Sequence, residues 1–189
     1  MDSETRLVGV VALLTTAGFL FEFYSGLRFG SVSLLSDSIQ MLFDVAVFSI
    51  AFLSGLNPVL ESRLENPRKK AAVVNALLLF PLAGFILWRA YTNFLDPSGL
   101  MPLQTVASGV VILTLESVMI WKLETFDLRL SDRSALYTLV TDAAGTVAAI
   151  SSALIVKFTG FQLIDPIFAV LIAAVAVFNS LRILSRARE

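Results

Sequence analysis

Six apolar stretches of bilayer-spanning length follow one another along this 189-residue chain, and little sequence is left between them. A helix needs roughly 20 apolar residues to cross the hydrocarbon core of a bilayer. The expected spans are 7–27, 32–54, 71–94, 104–123, 134–156 and 164–184. Their apolar runs are continuous rather than alternating, which favours helices that satisfy their own backbone hydrogen bonds. The sequence therefore predicts an all-α fold, a single six-helix transmembrane bundle over residues 1–189 with the lipid bilayer as its partner.

The composition excludes several classes of protein. Hydrophobic residues make up 57% of the chain and charged residues 15%, whereas soluble domains carry about 25% charged residues. The chain has no His and no Cys, so it has no histidine base, no cysteine nucleophile and no Cys/His zinc finger. The net charge of −1 argues against a nucleic-acid partner. No nucleophile–base pairing is visible, so we predict no enzyme activity and no cofactor.

The positive charges give an orientation. If the six spans alternate in direction, eleven Lys and Arg residues fall on one side of the membrane and three on the other. The first group is Arg6, Arg63, Arg68, Lys69, Lys70, Lys122, Arg129, Arg133, Arg182, Arg186 and Arg188, and the second is Arg28, Arg89 and Lys157. The positive-inside rule then places both termini in the cytoplasm, and the plasma (inner) membrane is the expected location. The N-terminal run has no cleavage site of the signal-peptide type. The chain stops soon after the sixth span, so we expect no C-terminal cytoplasmic domain.

Acidic residues within the apolar spans are the candidate functional residues, because a carboxylate in a bilayer is costly. They are Glu22, Asp37, Asp44, Glu116, Asp142 and Asp165. Glu22 is close enough to the end of its span to reach the interface. Asp165 precedes Pro166 at the start of a span, where a carboxylate stabilises a helix N-terminus and a structural role is expected. Glu116 is deeper and lacks an obvious polar neighbour, which leaves open a packing role, a proton role or a snorkelling side chain.

Two of the spans carry polar residues on one face. In the second span, Asp37, Gln40 and Asp44 have the spacing i, i+3, i+7 and lie within about 60° of one another around the helix. In the fifth span, Thr138 and Asp142 have the spacing i, i+4. Counting about 1.5 Å per residue from the cytoplasmic ends brings Asp44 and Asp142 to similar depths. Two facing helices would thus bring two carboxylates, an amide oxygen and a hydroxyl together.

Such a group of oxygen atoms suits a divalent cation. Two carboxylates in a low dielectric repel each other, so one of them keeps its proton unless a cation balances both charges. Metal and protons would then compete for one site, which is the chemical basis of metal/proton exchange. Oxygen donors favour Mn²⁺, Mg²⁺ or Ca²⁺ over Zn²⁺. The alternative is that these polar groups only hydrogen-bond one helix to another.

Several motifs are similar to those of the cation diffusion facilitator (cation efflux) family. Residues 30–44, GSVSLLSDSIQMLFD, resemble a second helix that typically reads Gly-Ser-x-x-Leu-Leu-x-Asp-x-x-His-x-x-x-Asp. Glu22 and Gly26 resemble the Glu-x-x-x-Gly of the first helix. Residues 138–146, TLVTDAAGT, resemble the fifth-helix His-x-x-x-Asp-x-x-Gly-Ser. The resemblance covers the whole chain in order and spacing, and it implies export of divalent metal ions in exchange for protons.

The resemblance also assigns the transport site and shows where this chain departs from it. The implied site residues are Gln40, Asp44, Thr138 and Asp142, with Asp37 either an added ligand or an acid that accompanies the site. Gln40 and Thr138 stand where many members have His or Asp. Three interpretations remain open: a harder metal such as Mn²⁺ in place of Zn²⁺, a site of low affinity, or a non-transporting membrane partner on the same scaffold. Without a cytoplasmic domain, a homodimer would form through the spans or their loops.

Overall fold

Helices account for nearly all of the described chain. The computed structural model describes residues 3–56, 67–97, 99–125 and 133–187, and these ranges contain no β-strand. Their six helices are α1 (Ser3–Phe29), α2 (Val32–Leu56), α3 (Pro67–Leu95), α4 (Pro102–Thr125), α5 (Arg133–Thr159) and α6 (Ile164–Ala187). Each helix contains one predicted span and extends beyond it at one or both ends. The prediction of an all-α fold with six helices is confirmed.

Four of these helices meet the length and hydropathy needed to cross a bilayer. The qualifying segments are Thr5–Phe29, Val32–Ile50, Pro102–Thr125 and Leu139–Thr159, and α6 adds the shorter apolar stretch Ile164–Phe178. Large apolar side chains on these helices face outward, with Leu13 71% and Phe158 80% exposed. Lipid is the environment in which such a surface is stable, so the chain is a multi-pass membrane protein. The cytoplasmic placement of the termini stays a prediction.

Helix α2 lies at the centre of the bundle. It packs against α1, α3, α5 and α6, while α4 joins α1 to α5 on the far side. One buried apolar cluster joins α2 to α3 and α6 through residues such as Phe43, Ile86 and Ala173. A second cluster joins α1, α2, α4 and α5 and contains Phe48 and Met119. The helices α1, α2, α4 and α5 therefore form one packed group, with the α3–α6 pair against one side of α2.

A tight turn at Gly30 sets the angle between α1 and α2. Gly30 has a φ of 70°, and the Ser31 N–H donates to the Gly26 carbonyl at 3.1 Å. This six-to-one hydrogen bond past a left-handed residue is a Schellman motif, which glycine forms without a Cβ penalty. The chain then reverses at once, and Ser31 becomes the N-cap of α2 by accepting from the Leu34 N–H at 3.2 Å.

Asp165 completes the cap of α2 from another helix. Its Oδ2 accepts the Val32 N–H at 2.6 Å and the Ser33 N–H at 3.3 Å. Its Oδ1 accepts from the hydroxyls of Ser31 at 2.9 Å and Ser152 at 3.2 Å, and from that of Ser33. Asp165 does lie in the first turn of α6 as predicted. The N-terminus that its carboxylate caps, however, is that of α2, so this one side chain links α2, α5 and α6.

Replacing Asp165 with Asn is expected to destabilise the bundle. The amide cannot accept all the hydrogen bonds that the carboxylate accepts, and buried donors of α2 would be left unsatisfied. The expected loss is about 1.5–3 kcal/mol of unfolding free energy. Thermal unfolding of the purified protein in detergent measures it. Asp96→Asn is the control, because Asp96 is exposed just after α3. Equal stability of the two variants would contradict the capping role.

Candidate metal site between the second and fifth helices

Carboxyl groups from four helices meet inside the bundle. The residues are Glu22 of α1, Asp37 and Asp44 of α2, Glu116 of α4 and Asp142 of α5, and each is 7% exposed or less. The α3–α6 pair contributes none of them. An isolated buried carboxylate is costly, so a cluster of five requires protons, hydrogen-bond donors or a cation to be stable.

The two mid-span aspartates of the predicted site, Asp44 of α2 and Asp142 of α5, are both buried. Their carboxyl groups interact electrostatically across the packed helices α2 and α5, and a shared metal site between them stays a prediction. Asp142 Oδ2 has no hydrogen-bond donor among the described residues. Two carboxylates cannot hydrogen-bond to each other without a proton, because both are acceptors only when ionised. The pair therefore requires either a shared proton or a cation to be stable.

The other two residues of the predicted site lie on the same helices. Gln40 is one turn from Asp44, and its side chain is only partly buried. Thr138 lies one turn from Asp142 in α5, but its side chain is outside the described part of the structure. The structure thus buries Asp44 and Asp142 on two packed helices, and the contribution of Thr138 stays a prediction.

Asp37 belongs to a neighbouring group of acids. Its Oδ2 accepts a hydrogen bond from the Thr146 hydroxyl at 2.8 Å. The same hydroxyl lies 3.2 Å and 3.0 Å from the two carboxyl oxygens of Glu116. Glu22 of α1 interacts electrostatically with Asp37. We call Glu22, Asp37, Glu116 and Thr146 the inner acid cluster.

Two sequence-based interpretations are corrected here. Glu22 does not reach the membrane interface, because it is completely buried. Glu116 neither snorkels nor stands alone, because it is also completely buried and contacts Thr146. A signal for Glu116 was present in α4. Its buried residues include Thr105, Ser108 and Gly109 at helical spacing from Glu116, and such small and polar residues are typical of a face that packs against another helix.

Gly145 makes room for Asp37 at the α2–α5 interface. A Cβ atom at this position would come within 2.9 Å of the Asp37 carboxyl carbon and would overlap its Oδ1. The glycine therefore allows the carboxylate to lie directly against the backbone of α5. It also places the next residue, Thr146, where its hydroxyl reaches Asp37 and Glu116.

Replacing Gly145 with Ala is expected to push Asp37 away from Thr146. Overpacking of this kind costs about 1–3 kcal/mol of unfolding free energy. Gly84→Ala in α3 is the matched control, since nothing lies within 4 Å of a Cβ there, and the helix propensity of alanine then favours folding. Thermal unfolding of both variants in detergent is the measurement. A Gly145→Ala protein as stable as Gly84→Ala would show that the interface has space for the methyl group.

The chemistry of the site is that of a small oxygen-donor centre. Within the described residues, no group of three or more Asp, Glu, His or Cys residues is arranged to hold a metal ion. A cation at this position would thus use the Asp44–Asp142 pair with help from neutral oxygens of the same two helices. The pair supplies two negative charges, which matches a divalent ion.

The fold and the site define a class: a polytopic α-helical membrane protein with a pair of buried aspartates between two spans. Residues 69–189 match the family model for the cation efflux transmembrane domain. The match covers more than half of the chain, so the chain belongs to the cation efflux family. The resemblance noted from the motifs is thereby confirmed.

Bacterial transporters are among the similar proteins. The zinc transporter ZitB of Escherichia coli is 32% identical over 192 residues, which cover 97% of this chain and 61% of that protein. ZitB of Pectobacterium atrosepticum is 29% identical over 180 residues, or 89% and 55% of the two chains. The cadmium, cobalt and zinc/H(+)-K(+) antiporter of Bacillus subtilis is 23% identical over 185 residues, or 91% and 58%. The chain thus spans less than two thirds of the length of these relatives.

Proposed function

We propose that this chain forms the membrane part of a divalent metal efflux transporter that exchanges metal for protons. The observation that supports the proposal is that Asp44 and Asp142 are buried carboxyls on two packed helices and interact electrostatically. Membership of the cation efflux family supports the substrate class. The inner membrane, with both termini in the cytoplasm, is the proposed location.

In the proposed mechanism the two aspartates alternate between metal and protons. In their ionised form Asp44 and Asp142 bind the cation from the cytoplasm, with Gln40 and Thr138 as additional oxygen donors. Asp37 is not included among the ligands, because its Oδ2 accepts a hydrogen bond from the Thr146 hydroxyl. When the site opens outward, protons displace the cation, since metal binding and carboxylate protonation exclude each other.

The donor set favours a hard ion. Carboxylate, amide and hydroxyl oxygens are hard ligands, and such ligands suit Mn²⁺. Zinc sites in proteins are typically built with His and Cys. The ZitB relatives are named zinc transporters, so Zn²⁺ is the competing substrate. We propose Mn²⁺ as the preferred ion for this chain because Gln40 and Thr138 offer no nitrogen.

Reconstitution tests the proposal. The purified protein is placed in proteoliposomes with an imposed pH difference, and uptake of Mn²⁺, Zn²⁺, Cd²⁺, Co²⁺ and Mg²⁺ is compared. We expect uptake that depends on the pH difference and is largest for Mn²⁺. Uptake that is largest for Zn²⁺ would overturn the choice of ion. No uptake of any of the ions would overturn transport and favour a non-transporting membrane partner.

A further inference from the structure

The Thr146 hydroxyl has more carboxyl oxygens around it than it can donate hydrogen bonds to. Three carboxyl oxygens, one from Asp37 and two from Glu116, lie within 2.8–3.2 Å of Thr146 Oγ1. A hydroxyl has one hydrogen to donate and accepts through its lone pairs. If it donates to Asp37, its nearest contact, the Glu116 carboxyl can only be a good partner by donating a proton of its own to Oγ1.

Glu22, which interacts with Asp37, also lacks a hydrogen-bond donor in the described part of the chain. Both carboxyl oxygens of Glu22 are buried and have no hydrogen-bond donor among the described residues. An ionised carboxylate in that position would carry an uncompensated buried charge, which is unfavourable. Asp37 Oδ1 is likewise buried without a donor in the described ranges. Glu22 interacts electrostatically with Asp37, so a protonated Glu22 would supply that donor.

We propose that the inner acid cluster is a proton-binding site separate from the metal site. Glu116 holds a proton that it donates to Thr146 Oγ1, Thr146 donates to Asp37, and Glu22 holds a second proton that it donates to Asp37. Asp37 is then the single anion, and it receives hydrogen bonds from two helices. With three carboxyls and two protons, each pair of neighbouring groups in the cluster has one donor and one acceptor.

Protons suit this cluster better than a second metal ion. The described residues contain no group of three or more acids arranged around a metal-sized position. Thr146 occupies the place between Asp37 and Glu116 and holds them in a chain of hydrogen bonds instead. Gly145 leaves no gap there, because Asp37 lies directly against it.

The cluster lies close enough to the metal site to respond to it. In the described part of the chain, the charged groups that act on Glu22, Asp37 and Glu116 are all carboxyls: each other, Asp44 and Asp142. A divalent cation between Asp44 and Asp142 would replace that repulsion by attraction and favour ionisation of the cluster. Metal binding would then release protons from Glu22 and Glu116 to solvent, a coupling that rests on the proposed transport function.

Infrared spectroscopy of the purified protein tests the proton-binding site without requiring metal. A protonated carboxylic acid has a carbonyl stretching band that an ionised carboxylate lacks, and the band shifts in D₂O. The variants Glu22→Gln and Glu116→Gln keep a hydrogen-bond donor in place and thus protect the fold. Each is expected to lose one acid band at neutral pH. Glu124→Gln, on an exposed residue of α4, is expected to lose none. An unchanged acid spectrum in both cluster variants would overturn the proposal.

Addition of Mn²⁺ separates this proposal from the transport function. We expect the acid bands of the wild-type protein to weaken when Mn²⁺ is added. In Asp44→Asn, the bands of Glu22 and Glu116 should be present but unaffected by metal. If the bands are present and metal binds without changing them, the cluster holds protons but takes no part in exchange, and the coupling is wrong. If the bands are present and no metal binds to the wild-type protein, the proposed function fails while the proton-binding site stands.

Discussion

Metal uptake into proteoliposomes is expected to fall by about a hundredfold or more when Asp44 or Asp142 is replaced with Asn. The variant pair keeps the size of each side chain and removes one of the two charges of the proposed site. Each carboxylate would pair with the bound divalent cation, and losing one partner of such a buried charge pair costs about 2–5 kcal/mol, with each 1.4 kcal/mol a factor of ten in affinity. Uptake of the preferred ion under an imposed pH difference is the measurement, with protein incorporation quantified in each preparation.

Two controls define how this result is interpreted. Asp96→Asn changes an exposed aspartate outside the helices and should transport like the wild-type protein. Asp165→Asn changes a buried aspartate that caps α2, so it should lower stability with a smaller effect on uptake per folded molecule. If Asp44→Asn and Asp142→Asn both transport at the wild-type rate, the aspartate pair is not the transport site.

The double replacement of Gln40 and Thr138 with His is expected to shift the selectivity towards zinc. Imidazole nitrogen is a preferred zinc ligand, and two of them with Asp44 and Asp142 would supply the four ligands of a tetrahedral site. We expect zinc affinity to rise by at least about tenfold, or about 1.4 kcal/mol. Isothermal titration of the purified variant with Zn²⁺ and Mn²⁺ measures the change.

The same double variant carrying Asp142→Asn provides the control for site integrity. It should lose the gain in zinc affinity, because the histidines would then lack one of their two anionic partners. A gain that survives Asp142→Asn would mean that the histidines bind zinc without the aspartate pair. No gain in the double variant would contradict the placement of Gln40 and Thr138 beside that pair.

The helices could be predicted from the sequence because each apolar run is long enough to be unambiguous. The predicted ends differ from the observed ones by a few residues, since capping determines where a helix stops. Ser31 and Asp165 begin α2, and Gly30 and Gly160 end α1 and α5 with positive φ angles. The hydropathy of a span contains no information about these contacts, and the Asp165 cap joins residues more than 100 positions apart.

The site could be predicted only in part, for a geometric reason. The spacing of Asp37, Gln40 and Asp44 places them on one face of α2, but it does not say which neighbour each of them meets. Asp44 interacts electrostatically with Asp142, whereas Asp37, two turns away, interacts with Glu22 and is hydrogen-bonded to Thr146. That division depends on how α1, α4 and α5 are rotated about their axes. Periodicity within one helix does not determine the rotation of another.

Glu116 is a second residue whose partner on another helix could not be predicted from the sequence. Its apparent isolation in the sequence reflected its neighbours along α4, while its actual partner, Thr146, is on α5. Thr146 was visible only as part of the motif that follows Asp142. A hydroxyl in a packed interface is usually a helix–helix contact, and three carboxyl oxygens around it could not be inferred from the chain order.

Metal titration of three single variants tests the central claim most directly. Isothermal titration with Mn²⁺ is carried out on purified Asp44→Asn, Asp142→Asn and Asp37→Asn. We predict that Asp44→Asn and Asp142→Asn each lose the high-affinity site of the wild-type protein, while Asp37→Asn retains it. Retention of that site in both Asp44→Asn and Asp142→Asn, or its loss in Asp37→Asn alone, would contradict a metal site built on Asp44 and Asp142.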